Sequence, residues 1–141
     1  MKNDEKIKHL EFIQGVINRL ANNSFLIKGW FITIVLAGLS FYLSQKKLAA
    51  LPILLIATLI FWFLDSYYLR QEKLFRKLYD DVVEEKIKPI FSMNVFNYRK
   101  DVPNSFIMMF SYPNSLLYIS IFALILAQLL FSIKIEINIK F

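Results

Sequence analysis

Between Phe25 and Leu69 charge almost vanishes from the chain, returning only at Lys28, at Asp65 and in the link SQKK, Ser44 to Lys47. The first arm, FLIKGWFITIVLAGLSFYL, runs from Phe25 to Leu43, and the second, LAALPILLIATLIFWFLDSYYL, from Leu48 to Leu69. A helix of about 20 predominantly apolar residues crosses the hydrocarbon of a bilayer, and both arms have that length. Inside lipid a helix satisfies every backbone N–H and C=O within one segment. The pattern therefore predicts two antiparallel transmembrane helices joined by a tight reversal. A third run, SLLYISIFALILAQLLFSI, Ser115 to Ile133, is long enough to be another span. The tail from Lys134, KIEINIKF, alternates apolar and polar residues and predicts a short strand, paired with a neighbour's tail or disordered.

Outside the spans the period becomes helical and amphipathic. Ile7, Leu10, Ile13, Ile17, Leu20 and Ala21 recur at spacings of three and four, with Lys6, Lys8, Glu11 and Arg19 off that stripe. Such a helix lies on the membrane, packs on another cytosolic helix, or runs into the first span. No Gly or Pro interrupts Asn22 to Ser24, so a continuous or gently bent helix is expected. Beyond the second span Leu74, Phe75, Leu78 and Val82 extend an apolar stripe. Glu72–Arg76, Arg76–Asp80 and Lys77–Asp81 are i,i+4 opposite-charge pairs on its wet face. This predicts helix to about Lys86, ended by Pro89. Residues 89–114 hold three prolines and four asparagines, which predicts a looping segment with a short helix or strand. Its apolar patch Phe106–Phe110 is too short to span; it is interfacial, re-entrant, or a cover for inner helices.

The expected organisation is thus 1–24 N-terminal amphipathic helix, 25–69 hairpin, 70–114 basic aromatic-rich helix and loop, 115–133 third span, and 134–141 tail. The fold class is an all-α membrane protein with three transmembrane helices and a cytosolic extension of the second. Composition agrees: 57% of the residues are hydrophobic and mean hydropathy is +0.47. With 24 residues ahead of a long first run, a retained anchor is expected rather than a cleaved signal peptide. Cysteine is absent, which excludes disulfides and thiolate metal sites. His9 is the only histidine, and neither a glycine-rich phosphate loop nor paired buried carboxylates accompany it. No catalytic residue, metal site or cofactor is therefore expected.

Charge orients the chain. Lys2, Lys6, Lys8 and Arg19, with Arg70, Lys73, Arg76, Lys77, Lys86, Lys88, Arg99 and Lys100, fall on one side of three spans. Only Lys46, Lys47, Lys134 and Lys140 fall on the other. The positive-inside bias then places the N-terminus in the cytosol and the C-terminus outside. Ionisable residues within spans are rare and usually paired. Lys28 and Asp65 sit at similar depth in an antiparallel hairpin, which predicts an ion pair, within one subunit or between two; the alternative is that both snorkel to the head groups. Gly29, Thr33 and Ala37 recur every four residues, a spacing that lets helices approach closely, within the hairpin or between subunits. In the third span Gln128, with Ser120 and Ser132, predicts interhelical hydrogen bonding or, in a ring of subunits, pore lining. On the cytosolic side Arg70, Lys73, Arg76, Lys77, Arg99 and Lys100, interleaved with aromatics such as Tyr98, suit an anionic nucleotide or oligonucleotide. They equally suit a solvated positive-inside girdle facing membrane lipids.

The stretches HLEFIQGVINRLANNSFLIKGW and FWFLDSYYLRQEKLFRKLYD resemble a group of short bacterial inner-membrane proteins encoded beside nucleotidyltransferases in anti-phage defence operons. The resemblance covers roughly the first 80 residues. It implies an effector of the kind found in Hailong and cyclic-oligonucleotide systems. Such an effector is a homo-oligomeric channel, for instance a tetramer, that depolarises the membrane under control of a cyclic nucleotide or oligonucleotide. No ligand-binding residue is carried over by it. The residues themselves leave open a scaffold that recruits a soluble partner through 70–100, and a holin-like toxin.

Overall fold

The computed structural model describes residues 3–86, 91–112 and 114–140. Four helices make up most of it: α1 (Asn3–Gln45), α2 (Ala50–Val83), the short α3 (Ser105–Met109) and α4 (Asn114–Lys140). A single 3-10 turn, Phe96–Lys100, precedes α3, and no strand occurs among the described residues. Helices α1, α2 and α4 are each long and apolar enough to cross a membrane, so this is an all-α membrane protein with three such helices.

α1 and α2 form an antiparallel hairpin far longer than a bilayer is thick. At 1.5 Å per residue α1 extends about 65 Å, roughly twice the hydrocarbon core. The chain therefore has a near pole, where α1 begins and α2 ends, and a far pole, where residues 46–49 link them. Lys46 takes a positive φ of 49° and its N–H bonds Tyr42 O at 2.7 Å, closing α1. α2 opens with Pro52 in its first turn, where a missing N–H breaks no helical bond.

At the near pole the amphipathic stripe of α1 packs on the extension of α2. Ile13 and Ile17 are buried against Leu78 and Val82, with Leu10, Phe75 and Tyr79 around them. Burying each such side chain contributes roughly 1.5–3 kcal/mol where water is the alternative. α2 ends at Val83, slightly earlier than Lys86. Glu85 adopts a positive φ of 58°, Lys86 N–H bonds Asp81 O (3.0 Å) and Glu85 N–H bonds Val82 O (3.3 Å). That is a Schellman ending built on glutamate instead of glycine. Lys6 of α1 holds it, with Nζ 2.8 Å from both Glu85 Oε1 and Val83 O. The expected stop at Pro89 and the charges of Lys2 and Lys88 lie outside the described residues, as does the side chain of Lys140.

Within the apolar zone, Phe31, Val35, Leu51, Leu54, Trp62, Tyr118 and Ile125 form one core shared by α1, α2 and α4. At Gly38 α1 and α2 approach closely: a Cβ there would stand 2.5 Å from Leu54 Cδ2. The tail corrects the strand expected at 134–141, since α4 continues to Lys140. Once twenty residues of helix exist, each further residue only propagates it, and no Gly or Pro stands there to stop it.

Candidate functional site

Asp65 lies at the centre of the molecule's one fully buried charged junction among the described residues. It is 0% exposed, on the α2 face that meets both α1 and α4. From α1, Ser24 Oγ donates to Asp65 Oδ1, and Lys28 Nζ sits 2.5 Å from Oδ2 while donating to Ser24 Oγ at 2.8 Å. From α4, Tyr118 OH donates to Oδ2 at 3.1 Å. Ser24 and Lys28 are four apart and share one face of α1, which is why both reach the same carboxylate. The pair lies within one subunit, and Lys28 keeps about a third of its side chain exposed.

The neighbouring Ser66, and Trp62 one turn earlier on α2, extend the junction. Ser66 Oγ donates to Trp62 O (2.7 Å) and accepts from Asn114 Nδ2 (3.3 Å), fixing the first residue of α4. The other amide atom of Asn114, Oδ1, is buried without a protein partner. Trp62 stacks on Tyr118 at 6.0 Å and donates its indole N–H to Met109 O at 2.8 Å. The Asp65 carboxylate accepts from Ser24 and Lys28 of α1 and from Tyr118 of α4, and so the junction ties α1, α2 and α4 together at one level. Ser24, Ser66, Asn114 and Tyr118 were not singled out from the sequence. Only the i,i+4 relations of Ser24 to Lys28 and Asn114 to Tyr118 hint at them.

A second polar junction lies at the far pole. Ser132 Oγ donates to Gln128 O (2.8 Å), so Tyr42 OH donates to Ser132 Oγ (2.6 Å) and accepts from Gln128 Nε2 (3.2 Å). It borders a crevice of about 340 Å³ between α1 and α4, with Lys46 and Glu136 at its rim. Ser120 does not share that face. Eight residues of helix rotate it about 80° from Gln128, and its hydroxyl bonds Leu117 O (3.0 Å) on the exposed side. The joint face expected for Ser120, Gln128 and Ser132 is thus corrected to Gln128 and Ser132 alone. Gly29, Thr33 and Ala37 are all exposed, and nothing lies within 4 Å of a Cβ on Gly29. Their stripe faces outward; the hairpin packs through Gly38 instead.

The basic residues of the near pole divide by task. Arg70 staples the loop: Nε donates to Pro103 O (2.9 Å) and Nη2 to Arg99 O (3.5 Å). Arg76 pairs with Glu72 at 2.7 Å, whereas the expected Arg76–Asp80 and Lys77–Asp81 pairs are absent among the described residues. Asp81 instead accepts from Tyr98 OH at 2.9 Å. Burial and that carboxylate push the Tyr98 phenol up to about 12. Arg99 rests over the Phe96 ring, 5.0 Å from its centroid. Lys73, Arg76 and Lys77 surround a depression of about 280 Å³ with Asp80, Asp101, Val102 and Pro103. Arg99, Lys100 and Tyr98 are not part of it. No group of three or more His, Cys, Asp or Glu is placed to hold a metal among the described residues.

No protein-family model, curated protein or solved structure matches this chain.

Proposed function

We propose that the protein is a homo-oligomeric ion-conducting effector of the bacterial inner membrane, controlled at its near pole by an anionic nucleotide or oligonucleotide and acting in anti-phage defence by depolarisation. The observation that carries this reading is mechanical continuity. α2 runs unbroken from the Lys73–Arg76–Lys77 depression into the apolar zone, where the Lys28–Asp65 junction ties it to α1. A ligand that prefers one arrangement of the near-pole helices would shift the equilibrium of the spans with it. The balance of basic residues supports a cytosolic near pole. The outward Gly29–Thr33–Ala37 stripe offers a close contact to a second copy. Defence and a nucleotidyltransferase partner come from the resemblance of the first 80 residues.

A second reading, a scaffold for a soluble partner, draws support from Arg70, Arg76 and Tyr98 being engaged within the chain. Planar-bilayer conductance of the purified protein, with its mass in detergent measured on the same sample, separates the two. Unitary currents from an oligomer, altered by short oligonucleotides or cyclic nucleotides and lost in Lys73→Glu/Lys77→Glu, are the expected result. Silence from a stable monomer overturns the channel and leaves the scaffold.

A further inference from the structure

Helix α3 is five residues long, yet its two faces are sharply different. Met108 and Met109 are buried beneath it, while Phe106, Ile107 and Phe110 are 65%, 58% and 59% exposed. Water-facing surfaces rarely gather large apolar side chains in this way. Its height in the molecule supplies the explanation. The Met109 carbonyl is bonded by the Trp62 indole, and the Phe110 ring meets Trp62 edge-on at 5.3 Å. Trp62 is one turn, about 6 Å, deeper along α2 than Ser66, and Ser66 is bonded to Asn114 where α4 begins. The C-terminal end of α3 therefore lies at the level where the third span starts, and its N-terminal end, held by Arg70 through Pro103, lies toward the near pole. At that height the neighbouring α2 side chains Ile60, Phe63 and Leu64 are themselves exposed and apolar.

We propose that α3 is an interfacial wedge that inserts Phe106, Ile107 and Phe110 into the lipid leaflet at the near pole. The exposed face of α3 joins α2 through the Phe110–Trp62 contact, beside exposed apolar side chains of that span, and lipid is what covers the surface of a span. Lys73 marks its upper edge: Nζ lies 3.9 Å from Met108 Sδ, where an ammonium can reach the head groups along its apolar stem. Asn104 caps α3 by accepting from Ile107 N–H at 2.9 Å, and Arg70 holds the preceding loop, so the wedge is set at a defined depth. This inference rests on the membrane-spanning helices and not on conduction or a ligand.

Phe96 provides an internal control. It is 64% exposed, equal to Phe106, but sits on the 3-10 turn whose Tyr98 bonds Asp81. Asp81 lies about 24 Å of helix beyond Asp65, far from any bilayer centred on the spans. Hydroxyl-radical footprinting of the unmodified protein in phospholipid vesicles should oxidise Phe96 and leave Phe106 and Phe110 several-fold less modified. The chain has no cysteine, so single cysteines at 96, 106, 107 and 110 can carry spin labels without background. Labels at 106, 107 and 110 should collide with oxygen and lose collisions with a water-soluble nickel chelate, the reverse of position 96. Equal oxidation of Phe96 and Phe106, with equal nickel access, overturns the wedge. Protection of Phe106 that appears only at high protein-to-lipid ratio also overturns it, assigning the face to a second copy.

Discussion

The near junction ties α1, α2 and α4 together and the far junction ties α1 and α4, about 21 Å of helix apart from Lys28 to Tyr42 and from Tyr118 to Ser132. They are built on opposite principles. The near junction buries a full negative charge at 0% exposure and surrounds it with Lys28, Ser24 and Tyr118. The far junction is neutral and half-buried, a phenol, a hydroxyl and an amide in one short chain. Removing one member of a buried ion pair strands the other charge, whereas a hydrogen bond between membrane helices contributes little on average. The difference teaches where each region finds its adhesion. The near pole has water around it, so Ile13, Ile17, Leu78 and Val82 associate by the hydrophobic effect. Within lipid that drive is absent, and the bundle depends on the charged junction and on close packing at Gly38.

The strongest way to break this contrast is Asp65→Leu. It strands Lys28 and releases Ser24 and Tyr118, and should destabilise by about 3–5 kcal/mol, toward the lower value because Lys28 is partly exposed. Unfolding in a mixed-micelle titration followed by circular dichroism reads it. Gly38→Leu sharpens the packing half of the argument. Its side chain must displace Leu54, and overpacking of that kind is expected to destabilise by about 1–3 kcal/mol in the same titration. At the far junction Tyr42→Phe should destabilise by only about 1 kcal/mol, and Gln128→Leu by about 0.6 kcal/mol. A loss at either position as large as that of Asp65→Leu would erase the distinction.

A pH dependence at the near pole provides a test of a different kind. The Tyr98 phenol is raised from 10 to about 12 in the fold, so the folded state holds its proton more tightly than the unfolded chain. Stability from this source is complete below pH 10 and is lost as pH rises through about 12. Alkaline release of the 96–103 loop, followed by limited proteolysis, should show that slope in the native chain and lack it in Tyr98→Phe.

The three spans are legible in the sequence because about 20 apolar residues in a row leave few other solutions. Lys28 and Asp65 are the only charged residues of the hairpin arms, and an antiparallel turn sets them at one depth. Tyr118 and Asn114 enter the same junction through a rotation of α4 that no local spacing encodes. The separation of Ser120 from Gln128 is encoded locally, in a spacing of eight residues that turns it about 80° around the helix. The tail failed because alternation over eight residues is a weak signal beside the propagation of a long helix. Glu85 ending α2 was hidden because its left-handed conformation is stabilised from a distance, by Lys6.

The most direct test of the central claim is a pair of double-mutant cycles in the same mixed micelles, Lys28→Met with Asp65→Leu and Tyr42→Phe with Gln128→Leu. The account predicts a coupling of about 2–3 kcal/mol for the first pair and no more than about 0.6 kcal/mol for the second. A near-junction coupling no larger than the far one would contradict it.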